Sequence, residues 1–282
     1  MVRVALLGAG GFLGSHAARA LTAGGHEVIA LRRGVPLAEQ LRAAAPGVVV
    51  NCAGRTTGSR GELVEANVGL VVELLDALAG GGGRLVQVGS SAEYGPGEPG
   101  VPVAEDHPCR PVSAYGETKL AATEATLAAA RSSRVAATVL RVFNPVGARM
   151  APESLPGRAA LLIRRALRDR GAVELGPLDA TRDFVDARDV ADAVVAACFA
   201  AEAYGQVINV GSGHGSTARE LVSTLAAIAG YRGPISEAAP GSPRSEAVPW
   251  QVADIRRAAT LLDWAPRRTL ADAVAALWSG IV

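Results

Sequence analysis

The chain has 282 residues, of which 49% are apolar and 20% charged, so a large core can be buried and a disordered chain is excluded. Its formal net charge of +1 argues against nucleic acid or an anionic membrane surface as a partner. No apolar run reaches the roughly 18 residues of a spanning helix, and the run from Met1 to Leu7 breaks at Gly8, too early for a signal-peptide core, so a cytoplasmic protein is expected.

In chain order, short β-rich runs alternate with helical stretches, the pattern of parallel strands joined by crossover helices. Val2–Leu7 reads as a first buried strand and Phe12–Ala23 as the helix after it. Glu27–Leu31 is a second strand, Leu37–Ala44 a helix, and Val48–Asn51 a strand that ends at Cys52-Ala53-Gly54. Helical periodicity runs from Glu62 to Leu78; the low-complexity tract Gly80–Gly83 ends it, and Leu85–Val88 is the next strand. Gly95–Pro111, rich in Pro and Gly, reads as a long loop on the active-site side. Ala114–Ala130 is helical and Ala136–Val142 a strand. Beyond Asn144 the pattern loosens, because Pro145, Pro152 and Pro156 interrupt it; a short helix is placed at Leu161–Arg170, and a second lobe is expected to begin here. Val185–Ala201 is helical in its later part, Gln206–Val210 is a strand, Ala218–Ala229 a helix and Leu270–Leu277 a closing helix.

Three cysteines (Cys52, Cys109, Cys198) and four histidines (His16, His26, His107, His214) show no CxxC or metal-ligand spacing, so neither a disulfide framework nor a metal site is expected. The basic residues are more informative, for the chain carries 27 arginines and one lysine, Lys119. A sequence this biased keeps a lysine where arginine cannot substitute, or else by chance, and its neighbourhood decides between the two.

After the first strand comes Gly8-Ala9-Gly10-Gly11-Phe12-Leu13-Gly14, opening a helix. Glycines let a backbone approach a pyrophosphate, and a helix N-terminus favours its charge. The spacing is GxxGxxG, through Gly8, Gly11 and Gly14; the bland alternative is a tight turn with close helix–strand packing. At the end of the second strand, where a carboxylate would meet the adenosine ribose, stands Leu31-Arg32-Arg33-Gly34. Guanidinium groups pair with a 2′-phosphate that a carboxylate would repel, so NADP(H) is expected over NAD(H), against the alternative of a solvated loop in an arginine-rich protein.

Tyr115 and Lys119 are four residues apart on a predicted helix and so share a face. An ammonium beside a phenol lowers its pKa and permits proton exchange with a carbonyl oxygen near neutral pH. The planar fork of arginine does not reproduce that shape, which gives the lone lysine a reason to exist. A hydroxyl from Ser90, or second Ser91, in the loop after Leu85–Val88 is expected to share the substrate oxygen with Tyr115.

With these residues in view, the chain resembles an extended short-chain dehydrogenase/reductase of the nucleotide-sugar epimerase/dehydratase/reductase group. The resemblance covers nearly the whole length through Gly8–Gly14, Asn51-Cys52-Ala53-Gly54, Asn67, Ser90–Gly95, Tyr115–Lys119, Arg141-Val142-Phe143-Asn144-Pro145, Arg182-Asp183-Phe184-Val185 and Ile208-Asn209-Val210-Gly211. It implies an α/β fold, a Rossmann-type doubly wound parallel sheet with a smaller C-terminal substrate-binding lobe. Residues 1–146 with about 181–210 would form the dinucleotide-binding unit, and 147–180 with 211–282 the lobe. It makes Ser90, Tyr115 and Lys119 the catalytic trio, and Lys119 also a holder of the nicotinamide ribose. The cofactor would meet Gly8, Gly11, Phe12, Leu13, Gly14, Arg32, Arg33, Cys52, Ala53, Gly54, Asn67, Tyr115 and Lys119; a nucleotide sugar would meet Ser91, Asn144, Arg182 and Arg244. Helices Glu62–Leu78 and Ala114–Ala130 resemble those that pair in dimers of the group, so a homodimer is expected.

Within this group, dehydratases place acidic residues two or three positions before the Tyr-Gly pair, where this chain has Ala92 and Ser91; dehydration is therefore disfavoured. Glu93 is acidic but would lie on the opposite side if the backbone is extended. Epimerases return the hydride and usually keep NAD, whereas the Arg32-Arg33 pair favours reduction. Val88–Gly95 is similar to the loop of GDP-4-keto-6-deoxymannose reductases, and Pro46–Ala53 resembles the compact segment of dTDP-4-keto-rhamnose reductases. The expected activity is NADPH-dependent reduction of a nucleotide-activated 4-keto-6-deoxy sugar. The alternatives are an NAD-dependent nucleotide-sugar epimerase and a non-catalytic NADP(H)-binding sensor or scaffold.

Overall fold

The computed structural model describes residues 1–79, 83–241 and 247–281. Runs of Val, Leu and Ala form strands β1 (Arg3–Leu7), β2 (Glu27–Leu31), β3 (Val48–Asn51), β4 (Arg84–Ser90) and β5 (Ala136–Val142). Between them lie helices α1 (Phe12–Ala23), α2 (Leu37–Ala44), α3 (Arg60–Val64), α4 (Leu70–Leu78) and α5 (Ala114–Arg131). Then follow β6 (Pro145–Val146), α6 (Leu155–Asp169), β7 (Val173–Glu174), β8 (Thr181–Asp183), β9 (Val185–Asp186), α7 (Ala187–Phe199), β10 (Val207–Val210), β11 (Gly215–Thr217), α8 (Ala218–Ala229), β12 (Ile235–Ser236) and β13 (Trp250–Gln251). Two further helices span Arg256–Leu262 and Leu270–Ser279.

The central sheet has six parallel strands in the order β2-β1-β3-β4-β5-β10. Because side chains alternate across a strand, each strand feeds two cores. Val4 and Leu6 pack with Val48, Val50, Val86 and Val88 beneath α1 and α7. Ala5 and Leu7 pack with Val49, Leu85 and Ala137 beneath α2, α4 and α5. A sheet covered on both faces is the physical reason these strands read as continuous apolar runs. The fold is therefore the expected Rossmann-type doubly wound sheet. The direct β1–β3 pairing shows that the short segment between the second strand and Val48 adds no extra strand. Chain direction reverses about β1, which makes its C-terminal end the switch point where ligands of such sheets bind.

A separate apolar cluster gathers Ile163, Leu175, Leu178, Phe184, Leu221, Leu225, Val274 and Leu277 from α6, α8, the closing helix and the segments between them. Ala258, Leu262 and Trp264, although late in the chain, pack in the cluster under α7 and β10 instead. Helix α6 starts six residues earlier than the periodicity indicates, at Leu155 rather than Leu161. Ser154 caps it by accepting the Gly157 N–H, and Pro156 falls in the first turn, where a missing N–H is harmless. The helix expected over Glu62–Leu78 begins at Arg60 and passes through a π-helical turn at Glu65–Gly69. Among the described residues no helix is long and apolar enough to cross a membrane.

Candidate active site

All six strands of the sheet end at one edge, and the loops that leave them build the site. The Gly8 backbone is left-handed, with φ +85°, and a Cβ there would lie 2.8 Å from the Ala53 nitrogen. On Gly14 a Cβ would collide with the Gly8 carbonyl oxygen, so these two glycines bring turn, helix and neighbouring strand end into contact that no side chain permits. The Gly11 N–H closes the turn on the Gly8 oxygen at 2.9 Å. Helix α1 then starts with neither a side-chain cap nor an acidic residue in its first turn, which leaves the Phe12, Leu13 and Gly14 N–H groups available to an anion. This bare cradle fits a dinucleotide pyrophosphate.

At the end of β2, the Gln40 side chain holds the backbone that carries the two arginines. Its oxygen accepts the Arg32 N–H at 2.8 Å, and its amide donates to the Arg32 and Val35 carbonyls at 2.9 Å each. Both arginine side chains are exposed, and among the described residues neither forms an ion pair. At the end of β3, Asn51 donates to Gln87 at 2.9 Å and accepts the Ala53 N–H at 3.0 Å, which fixes the Cys52-Ala53-Gly54 wall. Burial pushes the Cys52 thiol up to about 12, and nearby Lys119 opposes this, so at neutral pH it is a neutral wall residue. Asn67 sits in the π-helical turn and works as a clamp. It accepts the Arg55 N–H at 2.8 Å and donates to the Arg55 carbonyl and to Thr118 Oγ1, each at 3.0 Å. Both amide hydrogens of Asn67 are thus engaged with protein, so the side chain holds the loop that begins at Arg55. Thr118 in turn donates to the Tyr115 carbonyl at 2.9 Å, tying that wall to the start of α5.

Helix α5 begins at Ala114 because Ser113 caps it, accepting the Gly116 N–H at 3.1 Å. Tyr115 is half-buried in its first turn, and Lys119 follows one turn later with 6% exposure. The Lys119 ammonium donates to the Val88 carbonyl of β4 at 2.6 Å. Burial depresses its pKa, while Glu93 and Cys52 hold it up. A Cβ on Gly116 would strike the Ala92 carbonyl oxygen; this close approach seats the Tyr115 end of α5 on the turn that carries Ser90.

That turn is a 3₁₀ turn over Ser91–Glu93, not extended backbone. Ser90 Oγ accepts the Ala92 N–H at 3.2 Å, and Glu93 folds back to accept the Ser90 N–H at 2.8 Å. The Glu93 carboxylate is fully buried and also takes the Arg141 Nε at 2.7 Å, while the Arg141 guanidinium lies 4.4 Å from the Tyr94 ring centroid. Glu93 therefore supports the turn from below, facing the core, even though the turn geometry differs from the extended reading. Ser91 is buried, and its carbonyl and that of Gly95 accept the Gln251 amide at 3.0 and 2.6 Å. Sequence reasoning named Glu93 and Arg141 but not their pairing beneath Ser90, and it missed Gln251, which lies 160 positions from Ser91 with no local signal to mark it.

On the opposite side, Asn144 Nδ2 donates to the Asp183 carbonyl at 3.1 Å. The half-buried Arg182 donates to the Thr181 carbonyl at 2.9 Å and forms no ion pair among the described residues; burial pushes its pKa down to about 10. Asp183, buried beside it, accepts the Ser212 Oγ–H and the Gly213 and Ala253 N–H groups at 2.7, 2.9 and 3.1 Å, so its carboxyl oxygens are committed to the turn at Ser212–Gly213 and to the strand end at Ala253. Arg244 lies outside the described residues.

A glycine cradle at the switch point of a doubly wound sheet, with a tyrosine and a buried lysine one turn apart beside it, defines an NAD(P)-dependent enzyme of the Rossmann type. The chain belongs to the NAD dependent epimerase/dehydratase family, which it matches over residues 4–211. It is 38% identical to the dTDP-6-deoxy-L-talose 4-dehydrogenase (NAD(P)(+)) of Kitasatospora kifunensis, over 98% of this chain and 95% of that protein. Its fold matches RMD from Pseudomonas aeruginosa complexed with NADPH at a TM-score of 0.88 and 25% identity, covering 99% and 98% of the two chains. It also matches the UDP-glucuronic acid 4-epimerase of Bacillus cereus in complex with UDP-glucuronic acid and NAD, at a TM-score of 0.85, 25% identity and the same coverage. The chain is thus a nucleotide-sugar-modifying, NAD(P)-dependent enzyme.

Proposed function

We propose that this enzyme is an NADPH-dependent reductase of a nucleotide-activated 4-keto-6-deoxy sugar. The observation that carries the reading is the Arg32-Arg33 pair, exposed at the end of β2 on a backbone held by Gln40, where a carboxylate would serve a free ribose hydroxyl. The similarity to a dehydrogenase named for carbon 4 of a 6-deoxy sugar nucleotide supports the substrate class, since that oxidation run backwards is a 4-ketoreduction.

In this reading the cofactor supplies the hydride when bound, and the chain supplies the proton and the geometry. The Tyr115 hydroxyl protonates the ketone oxygen, and the hydroxyl of Ser90 donates a hydrogen bond to the same oxygen. Lys119 lowers the phenol pKa through its charge and holds the nicotinamide ribose. Arg182 and Asn144 engage the substrate diphosphate; a guanidinium that burial disfavours and no carboxylate among the described residues offsets gains most from an arriving phosphate. The exposed Val64 and Val72 of the α3–α4 face supply apolar surface for the homodimer.

The test is to mix the purified enzyme with NADPH and a panel of 4-keto sugar nucleotides and follow loss of reduced-nicotinamide absorbance. Oxidation with a 6-deoxy-4-keto substrate is expected. No oxidation, together with NAD-dependent interconversion of hexose nucleotides, would replace the reductase by an epimerase. Tight NADPH binding with no turnover and no effect of Tyr115→Phe would leave a sensor or scaffold.

A further inference from the structure

Beyond β6 the chain turns back over the glycine cradle and places an arginine there. Arg149 has φ +67°, in the left-handed region that side chains other than glycine rarely adopt. Its loop is held on several sides. The Ala148 carbonyl bonds His16 Nε2 at 3.0 Å, the His16 ring meets Phe12 edge-on at 5.7 Å, and a Cβ on Gly280 would lie 2.8 Å from that of Ala148. Strain kept by an over-determined loop is characteristic of functional positions. What the loop delivers is a guanidinium, because Arg149 Nη2 donates to the Gly10 carbonyl at 3.2 Å while the side chain stays exposed.

Three further features surround that guanidinium. Among the described residues it forms no ion pair with a carboxylate. Gly10 borders open space, for an added Cβ there would meet nothing within 4 Å. Two residues on, α1 begins with its uncapped N-terminus and no acidic residue in the first turn. Two sources of positive potential, backbone N–H groups and a guanidinium, therefore meet at one turn with no carboxylate paired to them among the described residues.

We propose that Arg149 is a ligand of the cofactor pyrophosphate, reaching it from the loop after β6. The inference rests on reading the Gly8–Gly14 cradle as the dinucleotide site. Of the five N–H donors on a guanidinium, the Gly10 carbonyl uses one, and the rest are available to phosphate oxygens in the charge-assisted geometry arginine favours. Arg149 differs in role from Arg32 and Arg33: it serves a group common to NADH and NADPH, whereas they serve the 2′-phosphate that only NADPH carries. It also ties cofactor occupancy to the loop that leads into α6.

The experiment measures dissociation constants of NADPH, NADH, ADP and adenosine 2′-monophosphate by calorimetry for the wild type, Arg149→Met and Arg149→Gly, with a thermal midpoint for each protein. Arg149→Met is expected to weaken NADPH, NADH and ADP by one common factor of about tenfold and to leave adenosine 2′-monophosphate unchanged. Arg149→Gly is expected to show the same loss of affinity with an unchanged or higher midpoint, since glycine accepts the left-handed backbone. Unchanged NADPH affinity would overturn the proposal. So would a loss confined to NADPH, which would make Arg149 a reader of the 2′-phosphate, or an equal loss for all four ligands with a lowered midpoint, the mark of a purely structural latch. If the wild type bound no dinucleotide at all, the cradle reading itself would fall, and Arg149 with it.

Discussion

Two turns leave the same edge of the sheet and are built in opposite ways. The turn after β4, Ser90–Glu93, is held from the core by Glu93 and Arg141, from α5 by the contact at Gly116, and from the distant β13 by Gln251. The turn after β2, Arg32–Val35, is held by one neighbouring side chain, Gln40, through bonds to the backbone alone. In the proposed function the first fixes side chains that must meet a reacting carbonyl within a fraction of an ångström. In the same reading the second only has to present charge to a phosphate, a task that suits its exposed arginines. Under the proposed function, chemistry is built into packed, long-range structure and cofactor choice into a local loop, so the two can be altered separately.

The sharpest way to break this contrast is at Lys119. Lys119→Met is expected to lower kcat by about 10²–10⁴-fold, with no fall in thermal midpoint, because burial already disfavours the ammonium. Lys119→Arg should be almost as poor, since the larger planar group cannot occupy the site under Val88. The pH dependence has a definite sign. The folded pKa of Lys119 lies below its ordinary 10.5, so over the interval from that depressed value up to 10.5 the unfolded chain binds the extra proton and stability rises with pH. Across the same interval the active ammonium is lost and the rate falls. Rate and stability moving in parallel there would show that Lys119 is not the group in control.

Next in size is the support beneath Ser90. Glu93→Val alone leaves Arg141 charged in a site 5% exposed and is expected to destabilise the fold by about 3–5 kcal/mol, measured by denaturant unfolding. The double variant Glu93→Val, Arg141→Met should recover most of that stability, because an apolar pair can replace a buried ion pair, yet recover little kcat. Full recovery of both would mean that the ion pair is only core filling.

The same contrast explains which features could be read before the fold was known. Strands β1 to β5 and helices α1, α2 and α5 lie close to their expected bounds, since each depends on apolar periodicity within its own few residues. The Gly8–Gly14 cradle and the Tyr115–Lys119 pair are equally local. Strands β6 to β9 and β11 to β13, two or three residues each, were invisible because pairing with remote partners, not propensity, makes them strands. Pro156 read as an interruption although it sits where a helix tolerates proline, and only the Ser154 cap just before it marks the true start. Glu93 showed as an acidic neighbour of the site, but its place beneath Ser90 depends on a 3₁₀ turn and on Arg141, 48 residues away. Arg149 could not be singled out among 27 arginines without the left-handed bend that carries it to Gly10.

A smaller effect is expected at Arg182, where the two kinds of construction meet. It is half-buried on β8 yet forms no ion pair among the described residues, and burial alone pushes its pKa down to about 10. Arg182→Met should raise the substrate KM by about 10–100-fold, the size of one charge-assisted hydrogen bond, and leave the NADPH dissociation constant unchanged. A matching loss of NADPH affinity would place Arg182 on the cofactor side of the cleft.

The smallest and most selective change belongs to the exposed turn. Arg32→Ala and Arg33→Ala remove side chains that make no ion pair among the described residues, while the Gln40 bonds go only to backbone atoms and survive both substitutions. Stability should therefore be unchanged to within about 0.5 kcal/mol, and NADPH affinity should fall by about tenfold, or about 1.4 kcal/mol, for whichever arginine meets the 2′-phosphate. NADH affinity should not move, because that cofactor offers the turn a hydroxyl in place of a dianion. The effect should shrink as ionic strength rises, since exposed charges are screened over about 8 Å at physiological salt. Equal losses for NADH and NADPH, or a salt-independent loss, would mean that the turn shapes the adenosine pocket instead of reading charge, and cofactor preference would then have to reside in the packed part of the site.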